Sequence, residues 1–222
     1  MMPEGSAPVG GVGGMSLVIA FVGSKSAVMA GDMREIFFWG DETAVQALEK
    51  ELYGGGLVAD NDLYRRAEAL GVGVVVRDGR EKVREQDGVL VGEVRETVGG
   101  TVRARRLYAT AGRYAIAEFE GSCGRLTGKG TGSTFVVLGN RAAQAIALAS
   151  IREGWKDGGT EDAVRVIILV MKTAAAATAS VSKRFVLIRT EAGADLDTLL
   201  ARDLGEGEVA MKNTSGIFRK NA

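Results

Sequence analysis

Apolar residues fall in short strand-like runs over much of the chain and at helical spacing over 41–54, 60–70 and two long stretches from about residue 139. Ser16-Leu-Val-Ile-Ala-Phe-Val and Ala27-Val-Met-Ala are nearly unbroken apolar stretches around Gly23-Ser24-Lys25-Ser26, which predicts two buried strands joined by a turn. A hairpin centred near Ser24 pairs residues whose numbers sum to about 48, placing Ser16 opposite Asp32 or one step from it. Residues 72–76, 88–94, 101–110 and 114–119 also read as strands, separated at Gly99-Gly100 and Gly112. Helices are predicted from Asp41 as N-cap to Gly54, over 60–70, over 139–154, and over 160–179 behind a Thr160 cap. A last core strand, Phe185 to Arg189, precedes a short helix from Asp195 to Arg202. Strands, then helices, then a strand describe an α+β layered domain.

The chain has 222 residues, of which 46% are hydrophobic, enough for one substantial core. Its 28 basic and 28 acidic residues cancel, which argues against nucleic acid or an anionic membrane as partner. No apolar run is long enough to span a bilayer, and no secretory signal pattern opens the chain, so a cytoplasmic protein that is not membrane-embedded is expected. There is no histidine, which excludes Ser-His and Cys-His catalysis and histidine-ligated metals. The one cysteine, Cys123, excludes an intrachain disulfide and is read as an incidental thiol. Neither glycine-rich stretch fits a nucleotide loop. Gly10 to Gly14 precedes a strand instead of following one, and in Gly128-Lys129-Gly130-Thr131-Gly132-Ser133 a glycine stands where a P-loop needs Ser or Thr. No cofactor is expected.

A general base must then be a carboxylate, a lysine or an amine. Met15 directly precedes Ser16, and an initiator methionine is readily removed before a small residue. A chain beginning at Ser16 would carry a hydroxyl and a free α-amine on one residue, and that amine titrates near 8. The plainer alternative makes Ser16 the first residue of an ordinary strand and Asp32 a strand-end acid.

Taken together, Ser16-Leu-Val-Ile-Ala-Phe-Val-Gly, Ala-Val-Met-Ala-Gly-Asp32-Met-Arg34, Gly130-Thr-Gly-Ser133 and Thr178-Ala-Ser180-Val-Ser182 resemble the proteasome β-subunit superfamily of N-terminal nucleophile enzymes. The stretch from Met15 to about residue 200 more closely resembles the connectase family of methanogenic archaea, through Ala-Gly-Asp-Met-Arg-Glu, Gly-Val-Leu-Val-Gly-Glu-Val, Arg-Arg-Leu-Tyr-Ala and Thr-Ala-Ser-Val-Ser-Lys. The resemblance implies a four-layer αββα sandwich with an inserted segment at about 41–100. It implies a transpeptidase acting through Ser16 on a Lys-Asp-Pro-Gly-Ala-type motif in a subunit of a methyltransferase of methanogenesis. The catalytic set it carries over is Ser16, Asp32, Arg34, Thr131, Ser180 and Ser182, with Lys82 as the cation. Arg106 competes with Lys82 but supplies charge only, and Lys50 fits the spacing but lies on an exposed-looking helix. Gly121 and Gly112 are candidate oxyanion donors.

Serine stands where the superfamily usually has threonine, and Met15 where self-cleaving relatives have glycine. Residues 1–15 are accordingly expected to be dispensable or an artefact of the gene model, with 16–222 forming one catalytic domain that acts as a monomer. The acid expected after the last long helix falls near Ala177 or Thr178, so that contact is changed. Two other classes share the motifs: a proteasome-like peptidase and a non-catalytic binding protein of the same fold. Phe37-Phe38-Trp39 is expected to pack the sheet against the insert, and the basic tail from Lys212 to Lys220 to lie outside the core.

Overall fold

A computed structural model of the chain describes the backbone of residues 12–13, and residues 17–98 and 101–205. Ser16, the Gly99-Gly100 turn and the tail from Lys212 to Lys220 lie outside the described residues, as does most of the 1–15 extension.

In chain order the first elements are β1 (Val12–Gly13), β2 (Val18–Val22), β3 (Ala27–Asp32), β4 (Arg34–Trp39), α1 (Glu42–Tyr53), α2 (Asp60–Ala69) and β5 (Gly73–Asp78). Five further strands follow: β6 (Val83–Gln86), β7 (Val89–Val98), β8 (Thr101–Thr110), β9 (Arg113–Glu120) and β10 (Cys123–Thr131). The chain then runs through β11 (Thr134–Leu138), α3 (Arg141–Gly154), α4 (Gly159–Ala177), β12 (Phe185–Thr190) and α5 (Leu196–Leu204).

The strands make three sheets, ordered β11-β2-β3-β12, β10-β9-β8-β7-β6 and β1-β4-β5, with all described pairings antiparallel. The hairpin β2–β3 aligns Val18 with Gly31 and Val22 with Ala27, one step from the expected register. Leu17 therefore meets Asp32, and the Asp32 N–H donates to the Leu17 carbonyl at 3.0 Å.

Both faces of β2 and β3 are buried, which explains their unbroken apolar character. Leu17, Ile19, Phe21, Val28 and Ala30 pack on Ala143 and Ala147 of α3 and on Val166, Ile167, Val170 and Met171 of α4. Alternate residues point the other way. Val18, Ala20, Val22, Ala27 and Met29 meet Val83, Leu90, Val94, Leu107 and Ala109 of the five-stranded sheet. The far face of that sheet, with Val89, Val91, Tyr108 and Phe119, is covered by Leu196, Leu199 and Leu200 of α5. The helix α4 is less enclosed than its composition predicts, since Leu169 is exposed.

The three-stranded sheet has a core of its own, in which Ile36 and Phe38 pack on Leu48 and Leu52 of α1 and on Leu63 and Ala67 of α2. Asp41 caps α1 by accepting the Ala44 N–H at 3.0 Å, as its position predicts. The segment expected as an insert thus divides. Residues up to Asp78 build this small unit, whereas β6 and β7 belong to the five-stranded sheet. Of the aromatic triplet, Phe38 is buried, Phe37 sits under the Arg77 guanidinium, and Trp39 is exposed. Val12–Gly13 pairs with Ile36–Phe37 along one edge of β4. Cys123 opens β10 as an exposed free thiol.

The two large sheets approach closely at Gly92, where a Cβ would stand 2.5 Å from Val18 Cγ1 and 2.7 Å from Met29 Sδ. Gly92→Ala is expected to cost about 1–3 kcal/mol by overpacking. Thermal unfolding checks this, and an unchanged midpoint would mean that the sheets are not in contact there.

Candidate active site

Asp32 ends β3 and is fully buried. Lys82, immediately before β6, reaches it from the neighbouring sheet, its Nζ donating to Asp32 Oδ1 and, at 2.6 Å, to the Arg34 carbonyl. The Arg34 N–H donates to the same Asp32 oxygen at 3.3 Å. Asp32 Oδ2 is buried with no hydrogen-bond partner among the described residues. Burial pushes the Asp32 carboxyl above its ordinary range, opposed by the Lys82 charge. It pulls the Lys82 ammonium below the usual lysine value, opposed by Asp32. For both groups burial works against the charged form and the partner's charge works for it.

Arg34 starts β4 with its guanidinium buried. It forms a two-pronged pair with Asp78 (Nε to Oδ1 2.8 Å, Nη2 to Oδ2 2.9 Å). A second pair joins it to Asp60 (Nη1 to Oδ1 2.6 Å, Nη2 to Oδ2 3.2 Å), and Nη1 also donates to the Ala179 carbonyl at 2.7 Å. These bonds bring the turn after α4 against the β3–β4 junction, where Ser182 Oγ accepts the Met33 N–H at 2.9 Å. Ser182 in turn donates to the Arg184 carbonyl.

Ser180, in the same turn, belongs to a buried hydroxyl group that includes one residue the sequence reading missed. Asn140 Nδ2 donates to Ser180 Oγ at 2.9 Å, and Thr178 Oγ1 lies 3.0 Å from that oxygen. Asn140 is the N-cap of α3, and its Oδ1 accepts the Ala143 N–H at 2.8 Å, which fixes which end of the amide faces Ser180. The only sequence signal for Asn140 is its place as a polar cap behind Gly139, immediately before a helix.

Of the residues singled out from sequence, Asp32, Arg34, Lys82, Ser180 and Ser182 come together, while Ser16 lies outside the described residues. Thr131 does not join them and is corrected. It ends β10 at an exposed position opposite Arg113, beside the Gly112–Gly23 end of the molecule. That is the far end of β2 from Leu17, about 17 Å along a strand of this length. A whole strand, β11, separates Gly128–Ser133 from α3, so the turn before the helix is Gly139-Asn140 instead. Gly112 lies at the same far end and Gly121 in the β9–β10 turn, and neither approaches Asp32. Arg106 is engaged elsewhere, with Glu93 at 2.6 Å, Asp203 at 3.2 Å and the Phe119 ring at 4.4 Å, and Lys50 is exposed on α1. Among the described residues no group of three or more Cys, Asp or Glu is placed to hold a metal ion, and no helix is long and apolar enough to cross a membrane.

A family model described as "Connectase MJ0548-like, N-terminal domain" matches residues 15–205. No curated protein matches the chain. Among solved structures, the Anbu (ancestral beta-subunit) protein of Yersinia bercovieri is 9% identical, covers 92% of this chain and 99% of its own, and superimposes with a TM-score of 0.36. The Anbu complex of Pseudomonas aeruginosa, solved as a helical assembly, is 10% identical, with coverage of 93% and 98% and a TM-score of 0.35.

Removing one member of the Asp32–Lys82 pair strands the other charge in the interior. Asp32→Asn and Lys82→Met are each expected to cost about 3–5 kcal/mol, and the double variant less than their sum. Urea unfolding of the three variants decides, since additive losses would mean the two groups do not interact. The bonds from Arg34 hold the Asp78 carboxyl below the ordinary aspartate value of 3.8. A folded-state value that is lowered contributes stability above the unfolded value and loses it as pH falls through the folded one. The stability gap between wild type and Asp78→Asn is therefore expected to be full at pH 7 and to close below about pH 4. A gap that persists undiminished into acid would count against this pairing.

Proposed function

The chain belongs to the connectase family, and from that premise we propose that it is a protein ligase whose nucleophile is the Ser16 hydroxyl, exposed as the first residue once Met15 is removed. The observation that carries the reading is the buried Asp32–Lys82 pair at the residue that bonds Leu17, in a chain with no histidine. Ser16 is covalently next to Leu17, whose carbonyl accepts the Asp32 N–H. The fold proposed with it is the αββα sandwich of N-terminal nucleophile enzymes. Its support is the packing of α3 and α4 on one sheet, that sheet on the second, and the second on α5.

In this mechanism Ser16 Oγ adds to a substrate carbonyl carbon while its proton passes to the α-amine, beside the positive charge that Asp32 holds on Lys82. The tetrahedral intermediate collapses, the peptide C–N bond breaks, and the departing amine takes the proton. The product is an ester between Ser16 and the acyl portion of the peptide. An incoming peptide amine then adds to that ester, a new amide forms, and Ser16 regains its hydrogen. Asp32 stabilises the ammonium form of Lys82. The Lys82 charge in turn disfavours protonation of a neighbouring α-amine, so the amine gives its proton up readily to the departing group. Ser180, oriented by Asn140 and Thr178, is the hydroxyl assigned to hydrogen-bond the amine. The substrate class is a peptide of the Lys-Asp-Pro-Gly-Ala type in a methyltransferase subunit, as the family resemblance implies.

Intact-mass measurement on the chain starting at Ser16 tests the reading. Incubation with a motif peptide is expected to add an acyl group to the wild type, Ser16→Ala should gain none, and Lys82→Arg should form the adduct at least about a hundredfold more slowly. Exchange of peptide ends that survives in Ser16→Ala would overturn the mechanism, and release of free acid without exchange would make the protein a peptidase instead.

A further inference from the structure

We propose that two carboxylates of the inserted unit, Asp60 and Asp78, are positioning residues that set the Thr178–Ser182 turn through Arg34; this deepens the ligase reading and rests on it for its catalytic consequence. The argument begins with the donor count of one side chain. A guanidinium has five N–H groups in a rigid plane. Here Nε is taken by Asp78, Nη2 by Asp78 and Asp60, and Nη1 by Asp60 and the Ala179 carbonyl. Each carboxylate is bound through both oxygens, so together they fix the plane and rotation of the fork. The donor that remains is thereby aimed at Ala179.

Ala179 is held from its other side as well, since its N–H donates to the Leu57 carbonyl at 2.9 Å. Leu57 and Asp60 lie on one short run leading into α2, and Asp78 ends β5 directly opposite Arg34 in the sheet register. Both backbone polar atoms of the residue before Ser180 are thus tied to the inserted unit, one directly and one through Arg34. The same arginine touches the charge pair through its backbone, its carbonyl accepting from Lys82 and its N–H donating to Asp32. The insert is therefore part of the frame that places Ser180 and Ser182 relative to Asp32 and Lys82. Asp60 is 49% exposed, so it can be altered without opening the core.

An amide at either position keeps one acceptor, loses the second and loses the charge, leaving a guanidinium donor unsatisfied and one of the two grips on the fork weakened. The test compares Asp60→Asn and Asp78→Asn with Glu51→Gln, which breaks the Glu51–Arg66 pair inside the same insert but away from the site. Two readouts are taken on each full-length chain beginning at Ser16. Amide hydrogen exchange of the peptide spanning residues 176–184 should rise about tenfold in Asp60→Asn and Asp78→Asn and stay at the wild-type rate in Glu51→Gln. Acyl-adduct formation with the motif peptide should slow roughly 10- to 100-fold in the two Asp variants, with the peptide concentration for half-maximal rate held within about threefold. Asp60→Glu, which restores a carboxylate, should recover part of that rate. The proposal is overturned by unchanged exchange in both Asp variants, by faster exchange without slower acylation, or by an equal loss in Glu51→Gln. A wild type that gains no adduct at all would sink the ligase reading, while the exchange measurement would still decide whether the acids hold the turn.

Discussion

Two opposite charges placed in a dry interior organise everything around them. Asp32 ends a strand of one sheet, Lys82 directly precedes a strand of another, and both are buried. Each is tolerable only beside the other, because the Coulomb attraction offsets a desolvation penalty of several kcal/mol per ion. That requirement fixes the end of β3 against the start of β6. It also fixes Arg34, whose carbonyl takes a second Lys82 hydrogen. The close approach of the sheets at Gly31 and Gly92 serves the same end, since a side chain at either would push the sheets apart.

Much of this architecture was legible in the sequence because the signals were local. The β2–β3 hairpin, the capped helix from Asp41 and the two long helices are each written in a contiguous pattern, and each forms within a residue or two of its predicted bounds. Two of the strands that escaped notice lack such a pattern, whereas β11 was missed although Phe135 to Leu138 is an apolar run. β10 alternates exposed and half-buried positions and contains three glycines, so it looks like a loop. β4 hides in an aromatic triplet whose faces divide three ways between core, cation and solvent.

The candidate site was legible in part, and its errors have one cause. Asp32, Arg34, Ser180 and Ser182 lie near chain reversals that the pattern located. The glycine-rich Gly128–Ser133 segment drew attention away from Gly139-Asn140 because glycine content marks a turn without saying which end of the molecule the turn occupies. Asn140 carries no distinctive spacing, and its importance appears only when Ser180 is brought against it from a residue separation of 40. Asp60 and Asp78 are invisible for a similar reason. In sequence they are ordinary acids at a helix start and a strand end, and only the fold turns them toward one guanidinium.

The exposed thiol at the head of β10 has a practical use. Cys123 is the only cysteine in the sequence, and it is exposed at the start of an edge strand of the five-stranded sheet. A maleimide dye would therefore attach at one place per molecule without any engineered mutation. Paired with a quencher on a peptide of the kind proposed as substrate, it offers an optical ruler for testing whether such a peptide arrives and leaves.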